Sequence, residues 1–454
     1  MSAGTLDAQL ASTNRRRANT ELALLVLALV TVLVAYALVG LAQSGVLPSG
    51  LIAYGGALAA LAAAGHLVSR RLAPGGDPLL LPVAFLLNGL GLVMVRRIDF
   101  ASAAGANPTN LAPAQTAWTV IAIAAFCATL LVLSDHRVLD RYRYLVGIGS
   151  LVLLSLPTLL PEPIGRTING ATLWLNFGVF SIQPAEFAKL GLVVFFASYL
   201  AEKRQLLAVA TNRVGPLMVP PARAFGPVLV AWGLSLGILV LQNDFGLSLL
   251  FFGVFAVLLY VATTRVAYVA IAGALFAGGA YVAYTLFSHV QVRIAVWLDP
   301  WSVYETGGFQ IAQSLFALAT GGITGVGLGQ GHPDFIPFVQ TDFIFAAFGE
   351  ELGLLGTTAL LLCYFILVGR GFAVAMRSRD DFGTLLAAGL TVIFALQTFV
   401  IVGGVTRLIP LSGLTLPFVS YGGSSLLANY VLVALLLRVS AAATVESARA
   451  GAAA

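Results

Sequence analysis

Twelve apolar runs, each close to the length of a membrane-crossing helix, constrain this chain more than any other feature. A hydrocarbon core takes about 20 apolar residues in a helix to cross. Inside it, only helices and closed barrels satisfy their own backbone. The runs lie near 21–42, 50–68, 78–95, 115–134, 144–160, 185–201, 225–242, 246–263, 267–288, 343–369, 382–404 and 424–438. They predict an all-α polytopic integral membrane protein, a bundle of about 12 transmembrane helices. Only 9% of residues are charged, against about 25% in soluble domains. The net charge of +5 is spread over short loops, not clustered on a soluble face, so nucleic-acid binding is excluded as a function class.

The basic residues set the expected orientation. With the N-terminus in the cytoplasm and each run crossing once, cytoplasmic segments hold 18 of the 24 Lys and Arg residues, among them Arg15 to Arg17, Arg70, Arg71, Lys203 and Arg204. Five fall outside (Arg96, Arg97, Arg166, Arg293, Arg407), and Lys189 falls within a run. This bias puts both termini inside. Residues 1–20 read as a cytoplasmic tail before an uncleaved signal anchor. The Ala-rich residues 441–454 read as a disordered cytoplasmic tail. Cys127 and Cys363 both sit inside apolar runs, with no spacing that suggests a metal site or a disulfide framework.

Two outside segments, 161–184 and 289–342, are too long to be simple turns, and long loops on a membrane scaffold carry function or bind partners. The first contains Trp174, which is either an interfacial aromatic or part of a site. The second is a large extracytoplasmic loop, glycine-rich from Gly321 to Gly331, and it ends at Asp342. Such a backbone can turn N–H groups toward a phosphate, or simply form a re-entrant loop. Asp342 stands where this loop re-enters an apolar run. A carboxylate there is costly, and it reads either as a helix N-cap or as chemistry. Glu350 and Glu351 lie about 12 Å deeper along a helix and need protein, not lipid, around them. Glu186 and Lys189 stand three residues apart and can pair on one helix face, or present a cation to an anionic substrate. Asp244 sits in a four-residue turn. The segment from Arg407 to Ser425 is apolar yet rich in Pro, Gly and Ser. Non-helical backbone of this kind implies a cavity near the outer leaflet.

Three blocks follow one another in order. The first is Phe180-Ser181-Ile182-Gln183-Pro184-Ala185-Glu186-Phe187-Ala188-Lys189. The second is Thr341-Asp342-Phe343-Ile344-Phe345-Ala346 with Gly349-Glu350-Glu351-Leu352-Gly353. The third is Gly413-Leu414-Thr415-Leu416-Pro417 with Ser420-Tyr421-Gly422-Gly423-Ser424-Ser425. In this order and spacing they resemble the SEDS family (shape, elongation, division and sporulation proteins), the RodA and FtsW glycosyltransferases of bacterial cell walls. The resemblance covers a core at 78–440 and leaves 21–77 as two additional N-terminal helices, since typical members have ten spans. Two departures stand out. Pro337-Phe338-Val339-Gln340 precedes the aspartate where many relatives carry a histidine, and Asn243 replaces a usual proline before Asp244. The stretch Thr406-Arg407-Leu408-Ile409-Pro410 and the extra helices look more like RodA than FtsW.

The resemblance implies a peptidoglycan glycosyltransferase for cell elongation and shape. Its substrate would be lipid II, an undecaprenyl-pyrophosphate disaccharide-pentapeptide, polymerised on the outer face of the cytoplasmic membrane. Its partner would be a class B penicillin-binding protein, a transpeptidase. Asp342 matches the family's essential loop aspartate, and Trp174 matches a functionally important tryptophan. Asp342 would act as the base of an inverting transfer. Lys189 with Glu186, by the family motif, and Arg293 and Arg407, by their position alone, are candidates to hold pyrophosphate, with Mg²⁺ or Mn²⁺ as candidate cofactors. Ser420, Gly422 and Gly423 would complete the substrate site, while Glu350, Glu351 and Asp244 support it. The competing readings are a lipid II flippase, which a twelve-span carrier would also fit, a non-catalytic scaffold that activates the transpeptidase, and an FtsW-type division polymerase.

Overall fold

A computed structural model describes residues 3–103, 108–168, 171–178, 180–208, 212–214, 217–219 and 222–453. Asn169 and Gly170, in the first long outside segment, lie outside the described residues.

Four long helices come first: α1 (Ala3–Ser44), α2 (Leu51–Leu72), α3 (Leu80–Ser102) and α4 (Ala112–Val132). A short α5 (Arg137–Arg141) leads into α6 (Arg143–Leu159). An antiparallel sheet follows, made of β1 (Gly165–Ile168), β2 (Ala171–Asn176) and β3 (Ser181–Ile182) in that order. Next come α7 (Pro184–Ala208) and a hairpin of β4 (Asn212–Val214) and β5 (Leu217–Val219). Then come α8 (Ala222–Leu241), α9 (Phe245–Thr263) and α10 (Val266–Leu286). The chain continues through α11 (Ser288–Leu298), α12 (Phe309–Gly321), α13 (Ile344–Arg377), α14 (Asp381–Val405) and α15 (Gly423–Ala453).

The chain is an all-α polytopic membrane protein. Among the described residues, ten helices are long and apolar enough to cross a membrane. Two shorter apolar helices, Arg143–Leu159 and Leu229–Leu241, stand at the two remaining expected crossings. Several expectations change. The tail at 1–20 is helical from Ala3, as the start of α1. The tail expected to be disordered at 441–454 is helical to Ala453, because its alanines are the best helix formers and extend a helix already nucleated. The loop at 289–342 is about half helical, through α11, α12 and a 3₁₀ turn at Pro333–Phe335. Helix α3 continues past the third run and includes Arg96 and Arg97.

The chain forms two compact units. The first comprises Met1–Ser134, Ser288–Arg370 and Gln397–Ala454. In it, α15 packs on α4 and α3, and α1 packs on α3 and α2. Lipid is as apolar as leucine, so buried polar contacts and close packing hold such helices together. Asn88 Nδ2 on α3 donates to the Tyr430 hydroxyl on α15 at 3.2 Å. The Tyr430 ring meets Phe126 and Phe418 edge-on. The second unit comprises Asp135–Phe287 and Gly371–Leu396. Here α7 packs on α6 and α9, and α8 and α10 flank α9. The apolar window of α7 is 83% buried and that of α10 only 6%, so α7 is the hub of this unit and α10 its exposed rim.

One irregularity in the first unit positions the site. Helix α13 is broken at Gly353 (φ 65°, ψ −164°). The break frees backbone groups at membrane depth, where each must find a protein partner. The glycine-rich loop supplies them. Val326 N donates to Glu350 O and Gly327 N to Glu351 O, both at 3.0 Å. In return, Leu354 N donates to Gly322 O at 2.9 Å and Leu355 N to Ile323 O at 3.0 Å. A Cβ at Gly353 would stand 2.3 Å from Gly325 N and 2.6 Å from Ile323 O. Gly353→Ala therefore combines about 1–3 kcal/mol of backbone strain with overlap against backbone. A clear drop in Tm of the detergent-purified protein is expected, and an unchanged melt would contradict this reading of the break.

Candidate active site

Asp342 lies in the turn that ends the glycine-rich loop, just before α13. The Phe343 carbonyl accepts the first helical bonds, from Ala346 N at 2.8 Å and Ala347 N at 3.4 Å. Phe343 thus takes the cap position, and Asp342 stands one residue before it.

The backbone ahead of Asp342 is braced by the Ser420 segment. Ser420 Oγ donates to Thr341 O at 2.5 Å and accepts from Leu416 N at 2.9 Å. Tyr421 N donates to Gln340 O at 2.8 Å. Gln115, buried in the first turn of α4, completes the brace. Its Nε2 donates to Ser420 O, and its Oε1 accepts from Gly422 N, both at 3.3 Å. On the far side, Phe343 and Ile344 are fully buried anchors. The carboxylate between brace and anchor has little freedom to wander.

Arg293 on α11 faces the same spot. The point where a Cβ on Gly413 would stand is 3.9 Å from both Arg293 Nη2 and Asp342 Oδ2. Arg293 Nη1 is held by Ser412 O at 3.3 Å and Leu411 O at 3.4 Å. Burial raises the Asp342 carboxyl from its ordinary range to about 6, while the Thr341 hydroxyl and the Arg293 guanidinium pull it down. Arg407 is engaged elsewhere. Its Nε donates to Trp297 O at 2.7 Å and its Nη2 bonds Leu298 O, so it caps the C-terminal carbonyls of α11.

Glu350 and Glu351 hold the loop. Glu351 Oε1 accepts from Arg97 Nε at 2.8 Å, and its Oε2 accepts from Gly329 N at 2.7 Å. Arg97 Nη2 also donates to Gly331 O at 2.6 Å. Glu350 Oε1 accepts from His332 N at 3.0 Å. The anion that the loop's Gly329 amide cradles is the protein's own Glu351. Gly423 serves packing, since a Cβ there would stand 2.1 Å from the Trp118 ring. Among the described residues, no three His, Cys, Asp or Glu side chains gather to hold a metal. Glu351 is taken up by Arg97 and Gly329 N, and Glu350 bonds His332 N through one oxygen, a donor set that is a poor fit to Mg²⁺ or Mn²⁺.

In the second unit, Lys189 Nζ pairs with Glu186 Oε2 at 2.6 Å, and both are buried. Trp174 is half-buried on β2, opposite Arg166 of β1. Asp244 caps α9 by accepting from Leu247 N at 2.9 Å.

The profile of the FtsW, RodA and SpoVE family, described as cell cycle proteins, matches residues 78–445. The chain belongs to this family. A peptidoglycan glycosyltransferase RodA of Mycobacterium tuberculosis is 49% identical over 425 residues, 93% of this chain and 90% of that one. The RodA of Mycobacterium leprae is 50% identical over 392 residues, 86% of this chain and 83% of that one. A chain from a solved peptidoglycan synthase complex that coordinates polymerization and crosslinking is 27% identical, with a TM-score of 0.63. That match covers 81% of this chain and 98% of the other.

Within this FtsW, RodA and SpoVE chain, the structure brings Asp342, Arg293, Ser420 and Gly413 together. It also adds residues that sequence reasoning missed. Gln115 is a buried amide in the first turn of an apolar helix, where in the sequence it looks like an ordinary flanking polar residue. Arg97, which follows an apolar run in the sequence, has a side chain only 4% exposed.

Proposed function

We propose that this chain is a RodA-type peptidoglycan glycosyltransferase that polymerises lipid II, with Asp342 as its base. The observation that carries the role of Asp342 is its placement, on a backbone braced by Ser420 and Tyr421 and facing Arg293. The glycosyltransferase reading draws on RodA relatives at 49–50% identity. The chain is a multi-pass protein of the cytoplasmic membrane. The basic-residue bias favours both termini inside and Asp342 outside.

The chemistry follows from the groups in place. Asp342 takes the proton of the acceptor sugar hydroxyl as that oxygen attacks the donor's anomeric carbon. The bond from that carbon to the undecaprenyl pyrophosphate oxygen breaks, and the configuration inverts. Pyrophosphate leaves as a stable anion, so no protein acid is needed. Arg293 lies close enough to Asp342 to share the substrate and offset the departing negative charge. Lys189, held by Glu186, and the half-buried Trp174 are the second unit's candidates for the lipid-linked substrate. A transpeptidase of the class B penicillin-binding type is the expected partner, consistent with similarity to a chain of a synthase complex.

The base must be unprotonated to work. With its carboxyl near 6, the rate should rise with pH through about 6 and fall below it, one proton for one limb. A pH–rate profile with lipid II in excess checks this. A flat profile between pH 5 and 7 would count against the assignment of the base. The function itself is tested by incubating the purified full-length protein with lipid II, the partner's active-site serine blocked, and resolving the glycan products on a gel. Strands are expected. Transfer of lipid II across liposomes without chain growth would instead identify a flippase.

A further inference from the structure

The helices α1 and α2 precede the residues matched by the family profile, yet the end of α1 touches the loop that leads to Asp342. Gln43 Nε2 donates to Gly329 O at the last turn of α1. A Cβ on Gly329 would stand 2.7 Å from Ala42 Cβ and 3.5 Å from Val39 Cα. The loop backbone therefore rests directly on α1, and only glycine, here at φ 87°, allows that approach. Gly329 is the same residue whose amide is taken by Glu351. Its peptide is thus gripped from two sides, by α1 at the carbonyl and by α13 at the amide.

The base of this support is itself tied down. Arg96 lies over the Tyr36 ring of α1 at 4.7 Å, and Tyr36 stacks on Tyr54 of α2 at 4.4 Å. The neighbouring Arg97 bonds Glu351 and Gly331 O. Adjacent residues of α3 thus join the N-terminal helix pair to the loop. From Gly331 the chain passes through the Pro333–Phe335 turn, which packs on α3, and reaches Asp342.

We infer that the C-terminal turn of α1 is a positioning element for the catalytic loop, and that Gln43 is the residue through which it acts. The N-terminal helix pair is on this view a working part of the polymerase. Gln43 is exposed apart from its amide contact, so its replacement leaves packing intact. This inference rests on the glycosyltransferase reading of Asp342.

The test compares three full-length variants with wild type on lipid II. Gln43→Met keeps the length and loses the donor, and the polymerisation rate should fall about three-fold, as for one neutral hydrogen bond. Gln43→Glu places a carboxylate against the Gly329 carbonyl and near Glu351, and the rate should fall about ten-fold. Gln43→Lys restores a donor and should return the rate close to wild type. All three should melt within a few degrees of wild type. In the two impaired variants the acidic limb of the pH–rate profile should also move, since a looser loop lets water reach Asp342 and lowers its pKa. Equal rates in all variants, or equal losses regardless of donor, would overturn the inference. An inactive wild type would overturn the glycosyltransferase reading instead.

Discussion

Asp342→Asn and Asp342→Ala are expected to abolish strand growth while leaving a folded protein. Asparagine is the sharper test, because it keeps the shape of the side chain and removes only its capacity to accept a proton. General base catalysis contributes about 10²–10⁴-fold, and little else in the immediate surroundings can replace it. No histidine adjoins Asp342, where Val339, Gln340 and Thr341 stand, and Glu350 and Glu351 are committed to His332, Gly329 and Arg97. Asp342→Glu should also be weak, by about 10²-fold, since a shift of about 1 Å spoils the attack geometry. Rates are read from lipid II consumption and strand length on a gel, with melting curves as the control for folding. Normal strands from the asparagine and alanine variants would remove Asp342 from the mechanism.

The second large effect concerns stability. Arg97 and Glu351 form an ion pair whose side chains are 4% and 0% exposed. Removing one partner leaves a buried charge uncompensated, at a cost of about 3–5 kcal/mol. Glu351→Leu should therefore lower Tm strongly and release Gly329 as well, so that activity falls further than stability alone explains. Arg97→Met should be nearly as damaging. The double variant Arg97→Met with Glu351→Leu should recover part of the loss, because a fitted apolar pair carries no desolvation penalty. Additive losses in this cycle would show that the pair is not coupled.

Much of the architecture was legible because the apolar runs are long. A run of about 20 residues has few alternatives in a bilayer, and the described helices fall where the runs lie. Asp342 was legible for a different reason, as a charge at a boundary inside a recognisable block. What stayed hidden depends on partners far along the chain. Arg97 looked like a flanking charge because it follows an apolar run, yet α3 continues to Ser102 and pairs it with a residue 254 positions away. The glycine-rich loop suggested an external anion, and local pattern could not reveal that Glu351 fills that role. Arg407 looked equivalent to Arg293, but its backbone at φ 60° directs it to the end of α11. The alanine tail was read as disorder from its composition, although alanine favours the helix that α15 had already begun.

The exchange of bonds around Gly353 has a consequence for how the protein can vary. The loop takes up carbonyls of α13 that an unbroken helix would keep, and α13 takes up carbonyls of the loop in return. The two segments are therefore locked in register like the teeth of a zip. One residue inserted into either would displace all the cross-bonds together and move Asp342 with them. The spacing between glycine loop and acidic helix is thus a length standard, and neither segment can grow or shrink alone.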